Sequence, residues 1–191
     1  MLFNLIAAVS HNNGIGYKGG MSWHIKADMQ YFSKLTKGNG NNAVVMGHNT
    51  WLSLQQKGLV DGLQGRDNFI FSHKHIFTEV SAIGNNLIKT FGSYDEFQVY
   101  MATHPYEEIW IIGGAQIYKT FLEKGIINKC YITYIDKEFE CDTFLPALEP
   151  SEWSIVKSIE DYDIKYDCAV EYNYRISQVV LYVLNENFYI E

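Results

Sequence analysis

The run Glu108-Ile109-Trp110-Ile111-Ile112 ends in Gly113-Gly114, and helical spacing follows over residues 116–123. A short stretch rich in isoleucine and tryptophan suits a central strand buried on both faces. Paired glycines at its end permit backbone geometry that a Cβ forbids, and they let a ligand come close; a tight structural turn uses them equally well. The same order of apolar run, polar or glycine turn and helix recurs. Residues 2–9 form an apolar run too short for a typical helix, and residues 42–47 end in Gly47 ahead of helical spacing over 50–55. Residues 68–72 and 86–91 read as further strands, with Ser93 as N-cap of a helix to Met101. Residues 130–136 alternate as a strand, and 153–159 and 170–176 read as closing antiparallel strands. The expected fold is α/β: a single domain with a mixed, mostly parallel central sheet, antiparallel C-terminal strands and helices on both faces.

Composition narrows the function. The chain has 191 residues, which suits one domain with a sizeable core. No apolar run approaches the ~20 residues that span a bilayer, and the N-terminus lacks a signal-peptide pattern. Cys130, Cys141 and Cys168 have no metal-ligand spacing, so no metal site and a reducing, cytoplasmic setting are expected. The formal charge is −7. Residues 1–100 carry eight Lys/Arg against six Asp/Glu, and residues 136–171 carry three against eleven. That acidic second part argues against a nucleic-acid surface. The first half can still hold a small anionic ligand.

One stretch concentrates the chemistry. Residues 10–20 are rich in Asn and Gly and read as an irregular, mobile loop placed to act as a lid. They lead into Met21-Ser22-Trp23-His24-Ile25-Lys26-Ala27-Asp28, after which the spacing is helical. Asp28 lies four residues from Phe32, so an acid projects beside an aromatic. It is either a first-turn acid complementing the helix dipole or an acid held in an apolar pocket for proton chemistry. Gly47-His48-Asn49-Thr50 sits where a strand ends and a helix begins, and the free N–H groups of such a start suit a phosphate.

These runs occur together with Val44-Val45-Met46-Gly47-His48-Asn49-Thr50-Trp51, Gly65-Arg66-Asp67-Asn68 with Ser72, Ile109 through Tyr118, Thr133-Tyr134-Ile135-Asp136 and Asp142-Thr143-Phe144-Leu145-Pro146. In that order, from Leu5 to about Ile176, they resemble the dihydrofolate reductase family. The resemblance implies NADPH-dependent reduction of 7,8-dihydrofolate to tetrahydrofolate, which supports one-carbon metabolism and thymidylate synthesis. It implies a domain over residues 1–176, leaving 177–191 as an extension of unknown role. The expected enzyme is a monomer whose partners are small molecules, without nucleic acid or membrane. The extension, with its apolar run 179–184, could pack on the domain, mediate self-association or be partly disordered.

The resemblance also assigns residues. Asp28 would hold the pterin, with Thr133 supporting its carboxylate and Trp23 holding a water nearby. Ile6, Ala7, Ala8, Met29, Phe32, Leu54, Leu63, Ile112 and Tyr118 would line the substrate pocket, and Arg66 would clamp the glutamate carboxylate. Ala8, Ile15, Gly16, Gly47, His48, Asn49, Thr50, Ser72, His73, Lys74, Ile112, Gly113, Gly114, Ala115, Gln116, Ile117 and Tyr118 would hold NADPH. Three positions depart from the family pattern. His48 stands where Arg or Lys commonly meets the 2′-phosphate, Asn49 stands where a basic residue is frequent, and Ser22 replaces the usual proline. His48, His73 and Lys74 are expected to supply the charge jointly, and Ser22 is expected to loosen the lid. Two other readings remain: another pterin or pyrimidine reductase of the same fold, and a non-catalytic folate- or NADPH-binding protein.

Overall fold

The computed structural model describes residues 1–74, 80–81, 86–135, 137–160 and 176–184. His75, Asp136, Cys168 and the expected strand residues 170–175 lie outside them. Among the described residues, no helix is long and apolar enough to cross a membrane.

The apolar runs become strands of one sheet. In chain order they are β1 (Leu2–Val9), β3 (Asn42–Gly47), β4 (Asp67–Phe71), β5 (Val80–Ser81), β6 (Leu87–Phe91), β7 (Glu108–Gly113), β8 (Ile127–Ile135), β10 (Trp153–Glu160) and β11 (Ile176–Leu184). A separate two-stranded sheet pairs β2 (Gly14–Gly16) with β9 (Thr143–Phe144). The main sheet has the order β10-β11-β8-β1-β7-β3-β4-β6-β5. β8, β1, β7, β3, β4 and β6 run parallel; β11 pairs antiparallel with both β8 and β10. The helices are α1 (Lys26–Lys37), α2 (His48–Gln56), α3 (Tyr94–Met101) and α4 (Ala115–Glu123).

Alternation along the strands builds two cores. Val44, Met46, Ile6 and Trp110 pack with Trp51 of α2 and with Phe32 and Leu35 of α1. On the other face Leu5, Ala43, Val45, Ile109 and Ile111 pack with Phe97 of α3 and Phe121 of α4. Helices therefore cover both faces, as a parallel sheet requires. Trp51, Trp110, Phe69 and Phe121 are each no more than 1% exposed, and each such side chain contributes roughly 1.5–3 kcal/mol or more by leaving water. Ser93 caps α3 as its position suggests, accepting from the Glu96 N–H at 3.2 Å.

Several expectations are corrected. β11 spans Ile176–Leu184, so residues 177–184 continue the sheet, and of the alternatives for the extension this part takes packing on the domain. Its residues have ladder partners in β8 and β10. Residues 10–20 are not wholly irregular: β2 pairs with β9, Tyr17 bridges Gly20, and Leu145 N–H bonds the Asn13 carbonyl at 2.9 Å. The strand partner lies more than 120 residues away, which local composition does not encode. α2 starts at His48 and not at Thr50, because Gly47 takes the extended N-cap conformation.

Candidate active site

The parallel strands β1, β3, β4, β6 and β7 all point their carboxyl ends to one edge, where the turns into α2, α3 and α4 gather. α1 crosses one face beside them. Two regions result, one under α1 and one over the helix starts.

Under α1, the helix begins after Ile25, which gives no side-chain cap, and Asp28 lies in its first turn. Desolvation raises the Asp28 pKa above that of an ordinary carboxyl, and the Thr133 hydroxyl on β8 donates to the carboxylate and offsets part of that rise. The residue as a whole is half-buried. Thr133 is 3% exposed. Register explains the meeting: Ala8 of β1 pairs with Thr133, and Ile6 pairs with Tyr131, on the face that α1 covers. Trp23 is buried against Ile25 and Ile135, with its ring 5.1 Å from Phe139. Its indole Nε1 is buried and has no partner among the described residues. A buried donor left open in this way has room in the free-energy balance for a bound water or ligand acceptor.

Ile6, Phe32, Leu54, Leu63 and Ile112 belong to a single apolar cluster. Four of the expected pocket residues do not join it. Ala8 packs with the Trp23 cluster and Tyr118 with the opposite core. Ala7 points to the opposite core, one residue out of phase with Ile6. Met29 is 39% exposed.

Arg66 is only 4% exposed, and one of its terminal N–H groups donates to the Thr36 hydroxyl of α1. Its Nε donates to the Gln64 carbonyl at 3.3 Å, and its guanidinium carbon lies 5.8 Å from the Phe32 ring centroid. Burial pulls its pKa down to about 10. Among the described residues no carboxylate pairs with it. The neighbouring Asp67 is engaged elsewhere, accepting from Leu87 N–H at 2.7 Å and from the Tyr106 hydroxyl at 2.6 Å. A buried cation without a counter-charge is costly unless an anion arrives.

Over the helix starts lies a cavity of about 820 Å³. Ala8, Ile15, Gly16, Gly47, His48, Asn49, Thr50, Ser72, His73, Lys74, Ile112, Gly114, Ala115, Gln116, Ile117 and Tyr118 line it. Of the residues expected on the cofactor side, Gly113 alone does not reach it. Gly113 has φ +111°, and a Cβ there would meet the Tyr118 ring at 3.1 Å, so only glycine fits. The Gly113–Gly114 peptide is cis. Tyr118 is held by its hydroxyl, which donates to the Ile6 carbonyl at 2.8 Å; burial foremost, then the nearby Asp28 charge, raises its pKa. Gly47 and Gly114 are the N-caps of α2 and α4, and neither end has a side-chain cap. Their first N–H groups are thus open to a ligand. His48 Nδ1 is buried without a partner among the described residues. His73 and Lys74 line the cavity and are exposed.

Sequence reasoning missed Met21, Ser53, Lys57, Gly92, Ser93, Tyr94 and Thr143, which also line the cavity. Gly92-Ser93 follows β6 and opens α3, the same strand–glycine–helix order that marked Gly47, and could have been found by it. Thr143 arrives through the β2–β9 pairing, and its signal in the sequence is the Asp142-Thr143-Phe144-Leu145-Pro146 run that carries the resemblance.

The lid is held by residues 140–145. Asp142 N–H donates to the Gly16 carbonyl at 3.0 Å, Lys18 N–H donates to the Asp142 carboxylate at 2.8 Å, and the Tyr17 phenol is hydrogen-bonded to the Glu140 side chain. Ser22, expected to loosen this loop, donates its hydroxyl to the Glu140 carbonyl at 3.1 Å.

Similarity to known proteins agrees with this geometry. The dihydrofolate reductase family model matches residues 2–179. The chain is 34% identical to a dihydrofolate reductase of Heliothis virescens over 161 residues, covering 80% of this chain and 83% of that one. It is 34% identical to that of Schistosoma mansoni over 194 residues, covering 98% and 100%. Among solved structures, dihydrofolate reductase from Enterococcus faecalis, complexed with NADP(H) and RAB-propyl, superposes with a TM-score of 0.74 at 22% identity, covering 97% of each chain. The chain belongs to the dihydrofolate reductase family.

Proposed function

We infer that this chain reduces 7,8-dihydrofolate to tetrahydrofolate with NADPH, using the two regions above as substrate and cofactor sites. The observation that carries the reading is the placing, beside α1, of a desolvated Asp28 and a buried Arg66 that has no carboxylate partner among the described residues. Dihydrofolate has a hydrogen-bonding pterin at one end and a carboxylate at the other, which complements such a pair.

The residues present fit NADPH. Uncapped starts of α2 and α4 suit its phosphates, the open Nδ1 of His48 suits a phosphate oxygen when protonated, and Gly113-Gly114 permits close approach of a flat ring. Bound there, NADPH supplies the hydride that goes to C6 of the pterin. The chain supplies the rest. Asp28 accepts from the 2-amino group and N3 and fixes the ring, while Thr133 orients the carboxylate. A water on the open Nε1 of Trp23 completes a path by which a proton reaches N5. Ile6, Phe32, Leu54, Leu63 and Ile112 exclude other water, and the lid of residues 10–20 closes the cofactor side. Arg66 binds the glutamate α-carboxylate in the bidentate manner that guanidinium allows.

All these residues come from one chain, which supports action as a monomer. The free thiols Cys130 and Cys141 support a reducing, cytoplasmic setting. The test is loss of NADPH absorbance with and without dihydrofolate. Dihydrofolate-dependent oxidation is expected; NADPH binding without turnover would leave a binding protein instead.

A further inference from the structure

On the sheet face under α1, two buried polar atoms that the proposed reaction does not use have no hydrogen-bond partner among the described residues. They are Asn4 Oδ1 and Trp110 Nε1. Each residue is 1% exposed. Asn4 of β1 and Trp110 of β7 are register partners on adjacent parallel strands, so their side chains leave the same face of the sheet. The Trp110 ring centroid lies 5.1 Å from that of Tyr131 on β8, and β1 runs between β7 and β8. Two strand spacings are about 9–10 Å, so the two rings meet over β1. Asn4 and Ile6 occupy β1 there, and only Asn4 offers a polar group. The orientation of its amide is fixed by the other end. Nδ2 donates to the Glu108 carboxylate at 3.1 Å, and the reversed amide would set oxygen against oxygen. Burial foremost, then the Glu108 charge, raises the Tyr131 pKa, which places that phenol in the same neighbourhood. A lone acceptor thus stands beside a lone donor. Left alone, each is costly to bury; one water satisfies both, accepting from the indole N–H and donating to the amide oxygen.

We propose that Asn4 and Trp110 hold a buried water molecule beneath α1, and that this bridge positions Trp110 against the substrate pocket. Trp110 packs in the same cluster as Ile6, Phe32, Leu54, Leu63 and Ile112, so a shift of the indole is passed to the side chains assigned to dihydrofolate. Asn4 is a positioning residue that acts through Trp110. The clause about the pocket rests on the function proposed above; the water site does not. A direct bond from the indole to the amide is the competing arrangement, and it leaves no bridging water.

The experiment reads the Trp110 indole N–H by NMR in the isotope-labelled chain, through its cross-peak to water. Trp110→Phe identifies the resonance among the four tryptophans. The wild type is expected to show contact with a long-lived water. Asn4→Leu, close in volume but without an acceptor, loses that contact; Asn4→Ser, which keeps an oxygen, retains it. Dihydrofolate kinetics on the same proteins give the second readout. Asn4→Leu should raise KM about two- to tenfold, the scale of one hydrogen bond's net contribution. Its single-turnover hydride rate at saturating ligands should stay near wild type, and Asn4→Ser should restore KM. A merely loosened fold lowers Tm without that split or that rescue. Three results overturn the proposal: a wild-type indole with no water contact, a contact that survives Asn4→Leu, or an Asn4→Leu KM equal to wild type. A wild type that fails to oxidise NADPH with dihydrofolate fails the proposed function and takes the pocket clause with it, while the cross-peak still decides the water site.

Discussion

The two halves of this site are built on opposite principles. The substrate side relies on single charges taken out of water: one carboxylate under Thr133 and one guanidinium under Thr36. The cofactor side relies on main chain, with uncapped helix starts, glycines and a wide cavity whose side-chain cations are exposed or are histidines. Buried charges bind with geometric precision but cost stability before the ligand arrives. Helix starts cost little when empty, because water satisfies their N–H groups. Mutations should therefore act sharply and one at a time on the substrate side, and weakly on the cofactor side.

Asp28→Asn tests the sharp half first. It keeps the shape but removes the charge and the proton path, so the hydride step should slow by ~10²–10⁴ in single-turnover kinetics. A compact, NADPH-binding variant with near wild-type turnover would erase the contrast between the halves. Stability should move the other way. The folded pKa of Asp28 is raised, so its contribution is fully present below the unfolded carboxyl range and is lost as pH rises through the folded value. The Tm of Asp28→Asn relative to wild type, both without ligand, should therefore climb as pH rises from the acid range towards neutrality. A Tm difference that stays constant with pH would mean that the carboxyl is not strained by burial.

Arg66→Ala should weaken dihydrofolate binding by roughly 2–5 kcal/mol, the range for truncating one partner of a buried charge pair. A pterin lacking the glutamate should bind wild type and variant alike. An equal loss for the truncated ligand would make Arg66 a brace for Thr36 and Gln64, and the substrate side would then hold one functional charge.

The same contrast governs what could be read beforehand. β7 with Gly113-Gly114, β3 with Gly47 and the cap at Ser93 are local signals, in which composition over a few residues decides the backbone. The cofactor side is made of such turns, and nearly all of its expected residues line the cavity. The substrate side depends on which way a strand residue points. Ile6 and Ala7 are adjacent in sequence, yet they lie in different cores. Met29 follows Asp28 on α1 but turns to solvent. The pairing of Asp28 with Thr133 was legible only through family resemblance, since β1 must bring β8 into register. The β2–β9 clasp and the place of β11 depend on partners distant in sequence, and short windows carry no trace of them.

His48→Arg probes the weak half. Replacing imidazole with a permanent cation at the start of α2 should tighten NADPH by about 1 kcal/mol, or roughly fivefold in Kd, the upper end for a partly exposed ion pair. NADH, which has no 2′-phosphate, should be unaffected. Fluorescence titration with both nucleotides reads the difference. A gain shared equally by NADH would move His48 from the 2′-phosphate to the pyrophosphate.

Ser22 is where the two halves meet, because the lid ends there and Trp23 begins the substrate side. A serine in place of proline frees the backbone, which costs order in the loop. Here the hydroxyl returns some of it through the bond to the Glu140 carbonyl. The bond is exposed, so its net worth should lie near the lower end of the ~0.5–1.5 kcal/mol range. Ser22→Ala removes the tether without restoring proline, and the lid should open more often. NADPH should then dissociate about two- to threefold faster in stopped flow, while the single-turnover hydride rate at saturating ligands stays near wild type, because Asp28, Thr133 and Trp23 are untouched. An unchanged dissociation rate would mean that the β2–β9 pairing and the Lys18–Asp142 bond hold the lid by themselves. A slowed hydride step would mean that the lid's end also positions Trp23, and the division between a charge-built half and a backbone-built half would then fail at this residue.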